Sequence, residues 1–313
     1  MDFAFTDDQR AIQDAIVRIV SQYMEAPRDG ATVARAEWAY AEAMERELAS
    51  GGFFDLALSE GCGPLEAAIL IYESARSPLV MESVGSALVA PLLLGEAAPR
   101  PVALARADDL TRGVRFLDRA KSVLVDYGDD VVLFDARALG ARPVAAMYAY
   151  PIGRLEAAPD ALAGKRLGAA ALGEFRRLWR LGLGLEIAAA MQAAVDFTTA
   201  YVKDRKVFGK PVGSYQAVQH RLAADVQKAR GAYWLGLKAA WSGSEADAAI
   251  AALYAQQATA QVMYDTHQFN GALGMTLEHK LHFWTFRLRW SQGELGGVRG
   301  QAAAVADATW GAA

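Results

Sequence analysis

A chain of 313 residues that is 53% apolar and 22% charged, with a formal net charge of −4, has the profile of a globular protein of one large domain or a few modest ones and excludes intrinsic disorder. Its charges are mixed and no Lys/Arg block interleaved with aromatics occurs, so nucleic acid is not an expected partner. The single cysteine, Cys62, excludes an internal disulfide framework and fits a reducing compartment.

The opening "MDFAFTDDQR" is acidic and polar, unlike a secretory or transit segment, and no run of about 18 uninterrupted apolar residues marks a membrane span. The expectation is a cytoplasmic protein. Thr6 and Gln9 form a capping box, followed by Ile12, Ile16, Ile19, Val20 and Tyr23 at helical spacing. The stretch "WAYAEAMERELASGG" reads as a second helix stopped by Gly51 and Gly52. The run "PLEAAILIYESARSPLVMESVGSALVAPLLLG" continues as helix, which makes residues 1–94 an N-terminal helical domain.

Residues 95–168 change texture. "PVALA", "SVLVDYG", "DVVLFDA" and "VAAMYAYPIG" are short, Val-rich and punctuated by Gly, Asp-Asp and Pro, as strands and turns are. This predicts a reduced β-rich domain. From 169 to 313 the helical period returns in four long amphipathic stretches, the third capped by Ser244, and predicts a four-helix bundle domain. The fold class is mainly α with a small β domain.

Most catalytic signatures are missing: no G-x-G-x-x-G after a strand, no Walker loop and no G-x-S-x-G elbow. His279 and His282 flank one helix face beside Glu278, but no second carboxylate–histidine pair completes a metal site, so they read as packing or capping residues and no metal is expected. "SQGELGGVRG" (291–300) offers backbone N–H groups to a phosphate or is a helix end followed by a loop, the reading favoured locally. "RKVFGKPVGSYQAVQH" (205–220) lies between two helical patterns. Its Arg205 fork suits a diphosphate, Phe208 suits a planar base and Gln216, one to two turns into the next helix, suits a polar edge. A capped helix corner uses the same residues.

"RKVFGKPVGSYQAVQHRLAAD" resembles the R-x-x-F-G signature of the acyl-CoA dehydrogenase flavoproteins. Arg180 and Gln192 match that family's preceding helix, and "DTHQFNGALGMTLEH" is similar to its Q-x-x-G-G-x-G segment at Gln268, Gly271 and Gly274. The resemblance covers about three quarters of the chain and implies FAD bound at a subunit interface. It places Arg205, Phe208 and Gln216 on the adenosine diphosphate half, and Gln268 and Gly271 at the diphosphate. It also implies α,β-dehydrogenation of an acyl-CoA thioester: a carboxylate removes the α-proton, hydride passes from the β-carbon to flavin N5, and an electron-transfer acceptor follows.

Two departures stand out. No T-E-P-x-x-G-S-D segment occurs; "VALARADDLTRGVRFLD" stands in its place. Where the family carries its E-G-T base, "RWSQGELGGVRG" puts Gln292 or Leu295, and an amide accepts no proton near neutral pH. The base position that some relatives use on the first bundle helix falls on Trp179, and Glu186 is a different position. Glu294 is the candidate catalytic base, a solvated helix-end glutamate its alternative. The compact β domain and "GMTLEHKLHFW" resemble the short bacterial dehydrogenases of sterol and ring degradation, which pair catalytic with non-catalytic subunits. The expectations are thus an active enzyme on a bulky or ring-bearing acyl-CoA, as a homodimer or tetramer, or a structural subunit of a heterotetramer. A flavin-free helical binding module is the third reading.

Overall fold

The computed structural model describes residues 4–25 and 40–311. Helices α1 (Asp7–Ser21), α2 (Glu42–Ser50), α3 (Pro64–Ala75) and α4 (Ala90–Leu94) precede seven short strands, and a bundle of α5 (Ala170–Asp204), α6 (Gln216–Ser242), α7 (Glu245–Asn270), α8 (His282–Ser291) and α9 (Gly297–Trp310) completes the chain. The capping box forms as its sequence requires. The Gln9 N–H donates to Thr6 Oγ1 (3.2 Å) and the Thr6 N–H to Gln9 Oε1 (3.1 Å). Gln9 Nε2 then donates to Glu66 Oε1 (2.8 Å), so one side chain both starts α1 and ties it to α3. The first part of the expected second helix, Trp38 and Ala39, lies outside the described residues, and α2 begins at Glu42.

The long stretch from Pro64 is not one helix. It breaks after α3, where Pro78 lacks an N–H and disfavours helical backbone at Ser77. It resumes as a π turn, Val84–Val89, that leads into α4. Glu82 makes the restart possible: its carboxylate accepts from the N–H groups of Gly85 (2.6 Å) and Ser86 (2.9 Å) and from the Ser86 hydroxyl. Burial pushes its pKa up to about 7 against these hydrogen bonds. Gly85 has no room for a side chain, because an added Cβ would lie 2.1 Å from the Val102 carbonyl oxygen. Gly85→Ala is therefore expected to cost at least about 1–3 kcal/mol of stability, read as a lower urea midpoint at unchanged m-value.

The β module holds two sheets. In the first, β1 (Val102–Arg106) pairs parallel with β3 (Ser122–Asp126), and β4 (Val131–Asp135) and β7 (Lys165–Arg166) follow antiparallel. The second is antiparallel, with β6 (Ile152–Arg154) between β2 (Val114–Arg115) and β5 (Arg142–Pro143). Of "VAAMYAYPIG" only its end becomes strand. Asp126 accepts two hydrogen bonds from Arg176 (2.7 and 2.9 Å), which fastens this module to the first turns of α5.

One core joins α3, the π turn, α5, α6, α7 and α8, with Tyr72 of α3 packed on Tyr233 of α6 at 4.2 Å between ring centroids. α3 and the π turn thus share the bundle's apolar interior, while α1 and α2 pack a separate core around Ile16, Met44, Leu48 and Phe54. α5 is long and apolar enough to cross a membrane by length and composition, but 83% of its apolar window is buried inside the protein. A fifth bundle helix, α9, begins inside 291–300, the stretch whose locally favoured reading is a helix end followed by a loop. Its glycines are structural: Gly296 and Gly297 take φ of 83° and 62°, and a Cβ on Gly300 would meet the Leu295 carbonyl oxygen at 2.6 Å. They let the chain turn tightly out of α8 rather than end the fold.

Candidate functional site

Two regions carry the candidate residues: one end of the bundle, and a cavity between the bundle and the β module. At the bundle end α5 stops at Asp204, with Arg205 in extended conformation as its C-cap. The chain then forms a tight hairpin of β8 (Lys206–Val207) and β9 (Lys210–Pro211). Phe208 and Gly209 at its tip have φ of 51° and 81°, the left-handed pair that a two-residue hairpin turn demands. This explains Gly209 beside a bulky Phe208, whose side chain is 94% exposed. The corner is braced by the Tyr215 hydroxyl, which donates to the Val207 carbonyl (3.2 Å), and by Lys210 over the Tyr215 ring at 4.3 Å. Gln216 is the first residue of α6, not one to two turns into it as the sequence reading had it. Among the described residues, the exposed side chains of Arg205 and Gln216 have no hydrogen-bond or ion-pair partner.

The C-terminus of α7 arrives at the same end, held by the Arg221–Asp265 ion pair and by Asn270 Nδ2, which donates to Thr198 Oγ1 of α5 (2.8 Å). Gln268 and Gly271 line a groove of about 580 Å³ there, with Tyr264, His267 and Met275 beside them and Arg289 and Gln292 opposite. Gly271 has φ of 61° and nothing within 4 Å of where a Cβ would stand, so its backbone is open to close approach. Gln268 and Gly271 are therefore brought together, while Arg205 at the end of α5, Phe208 on the hairpin tip and Gln216 at the start of α6 stand outside that groove.

The second region is a cavity of about 320 Å³. One wall is "VALARADDLTRGVR", the segment standing in for the missing flavin-contact motif; Leu104, Val114 and Arg115 come from it. Trp179 of α5 and Glu294, in a one-turn 3-10 helix (Glu294–Gly296), close the other side. Glu294 is not a solvated helix-end residue, since its side chain is 12% exposed. Arg115 donates to Glu294 Oε1 from Nε (3.2 Å) and Nη2 (3.0 Å), and from Nη1 to Glu186 Oε2 (2.9 Å). Glu294 Oε2 is buried and makes no hydrogen bond. The Trp179 indole N–H is near enough to favour the charged carboxylate, yet outside bonding geometry.

Burial raises the Glu294 pKa, Arg115 opposes the shift, and the Glu186 charge adds to it. Burial alone would lower the Arg115 pKa; the two carboxylates overcome that and hold it well above its ordinary value. The arrangement is a buried carboxylate with one oxygen anchored and the other free, a competent proton acceptor. Arg115 and the role of Glu186 escape sequence reading. One signal exists for Glu186: a lone carboxylate inside the apolar run "LGLGLEIAAAM" needs a buried cation.

The remaining candidates serve packing. Arg180 Nε donates to Gln301 Oε1 of α9 (3.0 Å), and Gln192 to Asp196 (2.8 Å). His279 packs against Phe197 and Tyr201, and His282 stacks on Phe283.

Comparison with known proteins finds likenesses in the bundle and in the overall fold. Residues 168–294 match the family described as "Acyl-CoA dehydrogenase, C-terminal domain". Over 112 residues, 36% of the chain, the sequence is 34% identical to acyl-CoA dehydrogenase IpdE2 of Mycolicibacterium smegmatis, and this match spans 36% of that relative's length. With IpdE2 of Mycobacterium tuberculosis it is 27% identical over 70% of each chain. The fold superposes on a chain of the ChsE4–ChsE5 complex from Mycobacterium tuberculosis with a TM-score of 0.79 at 20% identity, covering 96% of this chain and 97% of that one.

Proposed function

We propose, from the match of residues 168–294 to the acyl-CoA dehydrogenase C-terminal domain and the likeness to acyl-CoA dehydrogenases, that this chain is a flavin-holding subunit of that family for α,β-dehydrogenation of an acyl-CoA thioester, with Glu294 as the base. The observation that carries the reading is the buried Glu294 carboxylate in the cavity wall, anchored through Oε1 and free at Oε2.

The residues present fit FAD at its adenosine diphosphate end. Phe208 offers an uncovered aromatic face to adenine, Arg205 an unpaired guanidinium to the diphosphate, and Gly271 a backbone open to close approach. Gln216 and Gln268 add exposed amides. Because Phe208 projects outward from its own chain, these groups suit a cofactor shared with a second subunit. FAD when bound supplies the hydride acceptor. The chain's part is to seat the thioester against Trp179 and Leu104, exclude water, and take the α-proton on Glu294 Oε2. The acyl group proposed is bulky or ring-bearing, by likeness to the short bacterial dehydrogenases, with electrons passing on to an external acceptor.

A second reading is a structural subunit that completes a catalytic partner's flavin site, as homo- or hetero-oligomer. It is favoured by Arg115, a charged side chain in the wall where the family places flavin-contacting residues. Anaerobic titration of the FAD-loaded chain with acyl-CoA thioesters, alone and co-expressed with a companion dehydrogenase, separates the two. Bleaching by the chain alone supports the first. A chain that holds flavin only with its companion, with bleaching indifferent to Glu294, supports the second. Charge reversal at the cofactor's handle, Arg205→Glu, is expected to weaken FAD retention at least about tenfold, measured as flavin content after gel filtration.

A further inference from the structure

Arg115 does not hold Glu294 as guanidinium–carboxylate pairs usually hold each other. In the usual fork, two parallel N–H groups meet two carboxylate oxygens. In this cavity Nε and Nη2 both converge on Oε1 of Glu294, and Oε2 is left free. Glu186 takes the remaining side of the same guanidinium through Nη1, so the cation is divided between two buried carboxylates on different elements.

We propose that Glu186 is a positioning residue: by sharing the Arg115 guanidinium it keeps Glu294 Oε2 unbonded. The proposal rests on reading Glu294 as the base. A guanidinium serving Glu294 alone would be free to rotate into the two-oxygen fork, occupying Oε2 and stabilising the charged form, which makes a poorer base. The Glu186 charge also repels that of Glu294.

The other charged and polar groups around the pair are already committed. Arg287 of α8 donates to the carbonyls of Phe283 (2.8 Å) and Ser77 (2.7 Å). Glu82 is occupied by Gly85 and Ser86. Tyr150 lies with its ring face under the Arg115 guanidinium at 4.8 Å. The Trp179 indole stands beside Glu294, and Gln256 of α7 donates to the Glu294 backbone carbonyl (3.0 Å). Glu186 is thus the second carboxylate bonded to the cation.

The test uses the FAD-loaded full chain as wild type, Glu186→Gln and Glu186→Asp. The Glu294 carboxyl is titrated by 13C NMR, assigned through Glu294→Gln, and the pH profile of flavin bleaching by acyl-CoA is recorded alongside. Glutamine is isosteric and still accepts from Arg115 but carries no charge, so the Glu294 midpoint should fall by about one pH unit. The bleaching limb should fall with it, and the high-pH rate should drop. Aspartate keeps the charge and should hold the midpoint near wild type. A midpoint that stays put in Glu186→Gln, or moves equally in Glu186→Asp, overturns the tuning and assigns Glu186 to folding alone. A carboxyl midpoint that moves while bleaching keeps its wild-type profile supports the tuning and overturns the base assignment instead.

Discussion

Glu294→Gln is expected to slow flavin reduction by acyl-CoA by about 10²–10⁴-fold, the usual contribution of a positioned general base. The amide cannot take the α-proton, yet its Oε1 still accepts from Arg115, which stays charge-paired with Glu186 at 2.9 Å. Folding and thioester binding should therefore survive. Stopped-flow bleaching under anaerobic conditions gives the rate, and the spectral shift on ligand binding gives the affinity. A large loss of rate at unchanged affinity marks an interaction made in the transition state. Undiminished bleaching would remove Glu294 from the chemistry and leave the structural-subunit reading standing.

Arg115→Met should produce the largest loss of stability. It strands the carboxylates of Glu186 and Glu294, 7% and 12% exposed, without their shared cation, and breaking a buried pair in this way costs about 3–5 kcal/mol. The pH dependence follows from the sign of the shifts. Burial already raises the Glu294 pKa and Arg115 opposes that shift, so without Arg115 it would lie further above the unfolded value near 4.3. The penalty would then be absent below the unfolded pKa and grow as pH rises through the folded value. Urea unfolding at acid and alkaline pH should show the wild type and Arg115→Met converging at the acid end and parting at the alkaline end. Adding Glu186→Gln and Glu294→Gln to Arg115→Met should recover much of the loss, because the stranded charges are then gone. A loss independent of pH would mean that Arg115 stabilises through packing of its stem rather than through its charge.

The features legible in the sequence are those whose cause is local. The Thr6–Gln9 box, the Ser244 cap and the helical period of α5 declare themselves within a few residues, because capping and i, i+4 neighbours are set by backbone geometry over one turn. The hairpin at Phe208–Gly209 belongs to the same class: its turn chemistry explains the residues whether or not a cofactor uses them. The break at Ser77–Ser83 was partly visible in Pro78, but its rescue by Glu82 was not. The π turn exists because Glu82 replaces carbonyl acceptors and because Gly85 lets β1 come close.

By itself, then, the sequence determined a mainly helical chain with a β module in its middle. The tertiary structure decided which charged groups meet in the cavity between the bundle and the β module. Arg115 lies 71 positions from Glu186 and 179 from Glu294, on three different elements, and no periodicity or spacing connects them. What joins them is that a buried charge must find an opposite charge wherever the packing puts one. That requirement acts through space rather than along the chain. It makes Glu294, which the sequence leaves between a catalytic base and a solvated helix-end glutamate, a buried carboxylate with one unpartnered oxygen.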